Sequence, residues 1–120
     1  MYIVTGAAGF IGSAIVWQLN REGITDILIV DTLGSDEKWK NLVNLQYRDF
    51  IDKTEFIKKI EDRVHIGNVE AIIHMGANSS TTERNADHLV ENNYRYTKVL
   101  AEYCLVRDIR FVYASSAATY

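Results

Sequence analysis

The sequence of 120 residues has no proline, one cysteine and no apolar stretch near the ~20 residues that cross a bilayer. A single cysteine, Cys104, excludes an intrachain disulfide framework and a zinc site of several cysteines. Cys104 lies within an apolar helical pattern, which favours a small buried side chain over a reactive thiol. Low-complexity tracts and repeats are also missing, so the sequence predicts no linker or domain boundary.

Charge of one sign is not concentrated either. The net charge is −3, with 24% charged and 48% hydrophobic residues, which is typical of an ordinary globular chain. There is no basic patch of the kind that binds nucleic acid and no like-charged tail. The first residues form an apolar strand pattern rather than a charged leader, so we expect a cytoplasmic protein.

The first twelve residues carry the most informative pattern. Tyr2-Ile3-Val4 predicts a buried strand, and it runs into Thr5-Gly6-Ala7-Ala8-Gly9-Phe10-Ile11-Gly12, where a helical pattern starts. Gly6 suits the dihedrals of a turn, Gly9 allows a phosphate to approach the backbone, and Gly12 allows close helix packing. The unpaired N–H groups and the dipole of the helix start would bind a pyrophosphate. The spacing, G-x-x-G-x-x-G, differs from the common G-x-G-x-x-G.

The surroundings of this turn support a dinucleotide site, whereas three glycines alone indicate only a flexible turn. A second apolar run, residues 27–30, ends in Asp31, about 20 positions after the glycines, where a carboxylate can bond ribose hydroxyls. These features predict an α/β fold with a Rossmann-type, doubly wound parallel sheet over residues 1–120.

The remaining pattern predicts alternating helices and strands. The first helix is predicted to end near Gly23 and to turn toward the sheet an apolar face of Phe10, Ile11, Ala14, Ile15 and Leu19. A polar loop is predicted at 32–41, and further strands at 47–52, 69–75 and 110–114. A helix at 54–60, capped by Asp52 or Thr54, is predicted to face inward with Phe56, Ile57 and Ile60. A long helix at 87–107 is predicted to face inward with Leu89, Val90, Tyr94, Val99, Leu100, Tyr103 and Cys104.

Several polar side chains lie near the predicted strand ends. Lys38 is either a surface lysine or a cation that could reach an adenosine 2′-phosphate, and Lys53 is expected to be a surface lysine. Asp31 argues for NAD and a nearby cation argues for NADP, so these residues leave the cofactor open.

His74 is expected to be a core side chain with satisfied hydrogen bonds. No metal site is predicted, because no histidine has a carboxylate or cysteine at ligand spacing.

Three polar segments follow later strands. Gly76-Ala77 would leave room for the cofactor, and the run Asn78-Ser79-Ser80-Thr81-Thr82-Glu83 is either a self-satisfied loop or a surface facing nicotinamide and substrate. Asn92 would bond that loop or approach the cofactor. Ser116, after the fifth strand, either belongs to a polar turn or holds a substrate hydroxyl.

Together these segments resemble the extended short-chain dehydrogenase/reductase family. The resemblance rests on residues 5–12, Asp31 and residues 115–120. Within the family it is more specifically similar to the nucleotide-sugar epimerases that act on ADP-heptose, through residues 23–28, 41–43, 52–53, 79–83, 92–94 and 113–120. It extends over essentially the whole chain.

The resemblance implies NADP-dependent epimerisation of an ADP-heptose at C6 by transient oxidation and re-reduction, in lipopolysaccharide inner-core precursor synthesis, with NAD as the alternative cofactor. It implies the strand order 3-2-1-4-5 and a homo-oligomeric parent protein. Ser116 is the implied catalytic serine. The implied cofactor-binding residues are Gly6, Gly9, Phe10, Ile11, Gly12, Asp31, Thr32, Lys38, Lys53, Met75, Gly76, Ala77, Asn78, Ser79 and Asn92.

The chain departs from the family pattern in four residues and in length. Ala7, Thr32, Met75 and Asn78 replace the family's usual glycine, asparagine, glutamate and cysteine. The catalytic Tyr-x-x-x-Lys, the sixth strand and the substrate domain are expected beyond Tyr120, so we expect a partial copy that is inactive alone. The alternatives are an epimerase or dehydratase of UDP- or dTDP-hexoses, against which residues 79–83 argue, and an inactive cofactor-binding module.

Overall fold

The computed structural model describes residues 1–32, 37–75 and 86–114, apart from the side chains at 37, 38, 86–93 and 114. The described strands are β1 (Tyr2–Thr5), β2 (Ile27–Asp31), β3 (Asp49–Asp52), β4 (Ala71–Met75) and β5 (Arg110–Ala114). The helices are α1 (Phe10–Arg21), α2 (Lys53–Glu61) and α3 (Ala86–Arg107). A 3-10 helix, Glu37–Leu42, precedes β3.

The five strands form one parallel sheet in the order β3-β2-β1-β4-β5, which confirms the predicted topology. Every residue of β2 is buried, as expected of a parallel strand covered on both faces. The chain moves outward from β1 to β3 and then returns to β4 on the other side of β1. The strand order therefore reverses between β1 and β4, and in such sheets the crevice at the carboxyl ends of these strands binds ligands.

The helices divide between the two faces of the sheet. One face is covered by α1 and the 3-10 helix, through a cluster that includes Val4, Val16, Leu19, Ile29 and Leu42. The other is covered by α2 and α3, through a cluster that includes Ile3, Val30, Phe56, Ile60, Ile72, Tyr96, Leu100 and Cys104. Among the described residues, none of the helices combines the length and the apolar character that crossing a bilayer requires.

The predicted apolar face of α1 was wrong at Phe10, Ile11 and Ala14, whereas Leu19 is buried and Ile15 half-buried, as predicted. The buried positions are Gly12, Val16 and Leu19, whereas Phe10 is 87% exposed and Ile11 and Ala14 are also exposed. Because Gly12 packs directly on the turn, the face that starts at Gly12 meets the sheet and the first two residues of the helix remain outside it. The helix ends as predicted, with Gly23 following it at a φ of +84°.

The predicted inward face of α3 was wrong at Tyr94, which is 69% exposed, while Tyr96 is buried. Leu100 and Cys104 are buried as predicted, and Val99 and Tyr103 are half-buried. Tyr96, Leu100 and Cys104 follow one another at intervals of four, the spacing of a helical stripe. The side chains of Leu89 and Val90 lie outside the described residues.

Other boundaries differ by a few residues. The end of the predicted polar loop at 32–41 belongs to the 3-10 helix, whose last residue, Leu42, enters the core. β3 and β4 begin two residues later than predicted. The cap of α2 is Asp52, one of the two predicted residues, whose carboxylate accepts from the N–H of Thr54 at 2.9 Å. Phe56 and Ile60 are buried and Ile57 is half-buried, as predicted.

Candidate functional site

The glycine turn lies at the carboxyl end of β1, next to the end of β4. Gly6 has a φ of +69°, and a Cβ there would lie 2.9 Å from the Cβ of Met75. A Cβ on Gly12 would collide with the carbonyl oxygen of Gly6 and lie 2.8 Å from the Cα of Ala7. The turn therefore needs glycine at Gly6 for its backbone conformation and at Gly12 for helix packing, as the sequence predicts.

The start of α1 offers an anion site. Gly9 is the N-cap with an extended backbone, and no side chain caps the helix among the described residues. The first turn of α1 contains no acidic residue, so its free N–H groups and the positive end of the helix dipole are left for a ligand. A Cβ on Gly9 would meet one atom within 4 Å, the carbonyl oxygen of Gly6 at 3.4 Å. The uncapped start of α1 and the open space beside Gly9 therefore form a cradle that fits a pyrophosphate.

Asp31, at the end of β2, is joined to the glycine turn. Its Oδ2 accepts from the backbone N–H of Ala8 at 2.8 Å, and its Oδ1 accepts from the N–H of Thr32 at 2.6 Å. The carboxylate is buried, with the residue 7% exposed, while Thr32 is exposed. Asp31 therefore restrains the turn, a role additional to the ribose contact that the sequence predicts for it.

Asn41 is a residue of this site that the sequence analysis missed. Its Nδ2 donates to the carbonyl oxygen of Ala8 at 2.7 Å, so the 3-10 helix is tied to the glycine turn. Together, Asp31 and Asn41 hold both the N–H and the carbonyl of Ala8. An asparagine just before the buried Leu42 was the available signal, but nothing in the sequence shows that it reaches back across 33 residues.

His74 links the ends of β1 and β4 to α3. Its Nδ1 lies 2.6 Å from Oγ1 of Thr5, and its Nε2 lies 2.9 Å from Oγ1 of Thr97. Oγ1 of Thr5 also accepts from the N–H of Met75 at 3.2 Å. The hydroxyl proton of Thr5 is therefore best placed on an unprotonated Nδ1, and we assign the neutral ring with Nε2–H donating to Thr97. The prediction of a satisfied core histidine is confirmed.

Aromatic rings surround His74. The ring of Tyr96 is stacked on it at 5.6 Å between centroids, and those of Phe111 and Tyr113 lie at 6.1 and 5.5 Å. Burial and then the nearby charge of Lys53 lower the pKa of His74 to about 4. The imidazole is therefore neutral at physiological pH and acts as a hydrogen-bonding and packing group.

Lys53, the first residue of α2, lies against Tyr96. Its Nζ is 5.2 Å from the centroid of the phenol ring, and the hydroxyl of Tyr96 donates to the carbonyl oxygen of Lys53 at 3.4 Å. Burial raises the pKa of Tyr96, and the nearby Asp52 and Asp31 raise it further. A cation and two carboxylates thus lie around one aromatic ring at the carboxyl ends of β2 and β3.

Several predicted site residues lie outside the described part of the chain. These are Gly76, Ala77, Asn78, Ser79 and Ser116. Lys38 belongs to the 3-10 helix and Asn92 to α3, but their side chains are not described. The structure brings together Gly6, Gly9, Gly12, Asp31 and Met75 around the turn, with Phe10 and Ile11 at the start of α1.

A Tyr-x-x-x-Lys spacing occurs within the chain at Tyr94 and Lys98 of α3. Both side chains are exposed, while Tyr96 between them points into the core. Neither side chain makes a contact with the turn residues among those described, and the family's catalytic Tyr-x-x-x-Lys stays a prediction for the chain beyond Tyr120.

Two other features lie outside the turn. A groove of about 930 Å³, bordered by Asp26, Trp39, Tyr47 and Arg48, lies near the beginnings of β2 and β3. It lies at the amino ends of these strands, whereas the glycine turn follows the carboxyl end of β1, and none of the turn residues borders it. In the described ranges no group of three His, Cys, Asp or Glu residues is arranged to hold a metal ion.

Sequence comparison gives relatives over the whole chain. The chain is 55% identical over 120 residues to an ADP-L-glycero-D-manno-heptose-6-epimerase of Nitratidesulfovibrio vulgaris, and 52% identical to one of Fusobacterium nucleatum. These matches cover 100% of the chain but 37% and 36% of the relatives. The chain thus spans little more than a third of the length of these curated relatives.

Solved structures share the fold. An ADP-L-glycero-D-manno-heptose-6-epimerase of Helicobacter pylori matches 99% of the chain and 40% of its own, with a TM-score of 0.78 and 23% identity, which bears on the fold alone. A UDP-glucose 4-epimerase of Thermotoga maritima, solved with UDP-glucose, matches 93% of the chain and 36% of its own, with a TM-score of 0.72 and 26% identity. The model of the NAD dependent epimerase/dehydratase family matches residues 2–120. With the glycine turn, the acid at the end of β2 and the 3-2-1-4-5 sheet in place, the chain belongs to the NAD dependent epimerase/dehydratase family.

Proposed function

We propose that this chain is the dinucleotide-binding part of an enzyme that epimerises ADP-D-glycero-D-manno-heptose to ADP-L-glycero-D-manno-heptose at C6. The observation that carries the substrate class is the 55% identity, over all 120 residues, to a protein named for that activity. The uncapped turn at the start of α1 supports the proposal that the chain binds a dinucleotide. The pathway we propose is the supply of lipopolysaccharide inner-core precursors.

The binding roles that we propose for individual residues follow from the geometry of the turn. The N–H groups of the first turn of α1 bind the pyrophosphate, and Phe10 and Ile11 are the exposed side chains beside it. Asp31 and Thr32 bind the adenosine ribose. Met75 lies where the crevice meets β4, and residues 76–79 and Asn92 complete its lining in this proposal. The bound cofactor supplies reversible hydride acceptance, by which a carbinol centre is oxidised and then reduced with inverted configuration.

We propose NADP as the cofactor, with NAD as the alternative. The family is named for NAD, and Asp31 by itself favours a free ribose hydroxyl. Lys53 supplies positive charge near the ends of β2 and β3. Its ammonium lies 5.2 Å from the ring centroid of Tyr96, and the pKa of Tyr96 is raised by burial and further by Asp52 and Asp31, the last residues of these two strands. Lys38 is the second cation of the proposal. Two cations beside the ribose, as proposed here, would favour a 2′-phosphate.

Ser116 is the proposed catalytic residue of this chain. In the proposed reaction it hydrogen-bonds the reacting oxygen of the sugar, while a tyrosinate accepts the hydroxyl proton and a lysine lowers the pKa of that tyrosine. The tyrosine and lysine are those of the family's Tyr-x-x-x-Lys, predicted beyond Tyr120. By itself the 120-residue chain is proposed to bind cofactor without turnover.

A second candidate is epimerisation of a UDP-hexose, which the likeness to UDP-glucose 4-epimerase favours. Calorimetric titration of the chain with NADP⁺ and NAD⁺, followed by turnover assays with ADP-heptose and UDP-glucose, distinguishes the candidates. We expect dinucleotide binding by the 120-residue chain, and ADP-heptose epimerisation by the natural protein that contains it. Turnover of UDP-glucose in place of ADP-heptose would reject the proposed substrate, and failure of a folded sample to bind either dinucleotide would reject the whole proposal. Cytoplasmic location and homo-oligomeric assembly stay predictions.

A further inference from the structure

We propose that Tyr96 is a positioning residue for Lys53, and that the Tyr96 ring holds the Lys53 ammonium where it favours NADP over NAD. This inference rests on the cofactor site proposed above. It assigns a role to a side chain on α3, a helix distant in sequence from the glycine turn and from Asp31.

Tyr96 contacts Lys53 at two points. Tyr96 is 9% exposed and presents one face of its ring to the Lys53 ammonium at 5.2 Å, within the range of a cation–π interaction. The phenol hydroxyl makes a long hydrogen bond of 3.4 Å to the Lys53 carbonyl. One residue thus contacts both the backbone and the charged end of Lys53. The cation–π distance lies well within its usual range, whereas the hydrogen bond is long, so the ring face is the stronger restraint.

The ring of Tyr96 is itself fixed by its neighbours. His74 stacks on Tyr96 with an interplanar angle of 22°, and both nitrogens of His74 are bonded, to Thr5 and Thr97. Thr5 directly precedes Gly6 of the turn. The position of the Lys53 ammonium is therefore set relative to the same strand end that carries the turn.

The contact with Tyr96 leaves the charge of Lys53 available to a ligand. Asp52 directly precedes Lys53, and Asp31 is close enough to influence Tyr96, so carboxylates are available nearby. Among the described residues Lys53 nevertheless forms no ion pair. A π face attracts the cation without neutralising it, so all three N–H donors can still serve a phosphate group. A carboxylate partner would instead cancel the charge that a 2′-phosphate requires.

The test compares dissociation constants for NADP⁺ and NAD⁺ by calorimetry, with the variants Lys53→Met, Tyr96→Met and Tyr96→Phe. Tyr94→Met, at the exposed position two residues away on α3, is the matched control. We expect Lys53→Met to lower the NADP⁺/NAD⁺ affinity ratio about tenfold or more. Tyr96→Met should lower the ratio about three- to tenfold. Tyr96→Phe keeps the ring face and should keep most of the ratio, and Tyr94→Met should not change it.

The double variant Lys53→Met/Tyr96→Met separates positioning from a general structural role. We expect it to have the ratio of Lys53→Met alone, because Tyr96 acts through the ammonium. An equal loss of both affinities in Tyr96→Met, or an unchanged ratio in Lys53→Met, would overturn the inference. Should Tyr96→Met not fold, a ratio in Tyr96→Phe as low as that of Lys53→Met would also overturn it. Wild-type protein that binds neither dinucleotide overturns the cofactor proposal itself, whereas wild-type binding with ratios that ignore Tyr96 overturns only this inference.

Discussion

A Cβ atom on Gly12 would lie 2.8 Å from the Cα of Ala7, so α1 packs on the turn with no room for a methyl group. Gly12→Ala is therefore expected to lower the free energy of unfolding by about 3 kcal/mol or more, because backbone must move.

Gly9→Ala is the contrasting variant. Its Cβ would make one ordinary contact on an extended backbone, so stability should change by less than about 1 kcal/mol. Dinucleotide affinity should nevertheless fall about tenfold, since the new methyl group would occupy the cradle. Urea unfolding and calorimetry measure the two effects separately, and equal destabilisation by both variants would contradict this prediction.

Asp31→Asn should destabilise the fold by about 1–3 kcal/mol. The asparagine amide has one acceptor oxygen where the carboxylate has two, so its NH₂ group would face the N–H of either Ala8 or Thr32. Dinucleotide affinity should fall in the same variant. Asp62→Asn is the control, since Asp62 is exposed and its carboxylate makes no ion pair among the described residues. Urea unfolding of the two variants checks the prediction, which fails if Asp62→Asn costs as much as Asp31→Asn.

Asn41→Ala should cost about 1 kcal/mol of stability and weaken dinucleotide binding severalfold, because the carbonyl of Ala8 loses its donor. The effect on binding comes from greater freedom of the turn. Asn44→Ala, three residues later at an exposed position, should change neither quantity. Thermal denaturation and calorimetric titration of both variants provide the comparison, and identical behaviour of the two would remove Asn41 from the site.

Stability should depend on pH through His74. Its pKa is lowered from 6.5 to about 4, so between these values the unfolded chain binds more protons than the folded one. The free energy of unfolding should therefore fall as pH drops from about 6.5 to about 4, by up to about 3 kcal/mol from this residue. Urea unfolding at a series of pH values should show this slope reduced in His74→Gln. Retention of the full slope in His74→Gln would assign it to other groups, and His65→Gln is the control at an exposed position.

Cys104 should be unreactive in the folded protein. It is 2% exposed, and burial raises the pKa of its thiol from 9.0 to about 11, which lowers the thiolate fraction at pH 8 about 100-fold. A colorimetric thiol reagent should therefore label it slowly in buffer and rapidly in urea. Because it is the single cysteine, the reading is unambiguous. Rapid labelling in buffer would show that the packing of α3 against the sheet opens readily.

The sequence was sufficient for the strands and for the turn, because both depend on local pattern. β2 is a short apolar run ending in an acid, and β5 has the predicted bounds. Periodicity failed where apolar side chains are left outside the core, as at Phe10 and Ile11, since a pattern does not show where a helix first meets the sheet. It failed at Tyr94 for a related reason: two tyrosines lie two positions apart, and only packing against His74 selects Tyr96.

The contacts of the site were less predictable than its elements. The bond from Asn41 to Ala8 and the contact of Lys53 with Tyr96 join residues 33 and 43 positions apart. Such pairings depend on how the 3-10 helix and α3 dock, which no local signal encodes. Asp31 was located correctly in sequence, but its bond to the turn is a tertiary contact that appears only when β1 and β2 lie side by side.

The clamping of Ala8 at both its N–H and its carbonyl has a thermodynamic consequence. A turn restrained in this way is ordered when the chain folds, so a ligand arriving at it meets a preorganised receptor. Binding then loses little conformational entropy from this segment, and more of the gross attraction to a diphosphate remains as affinity.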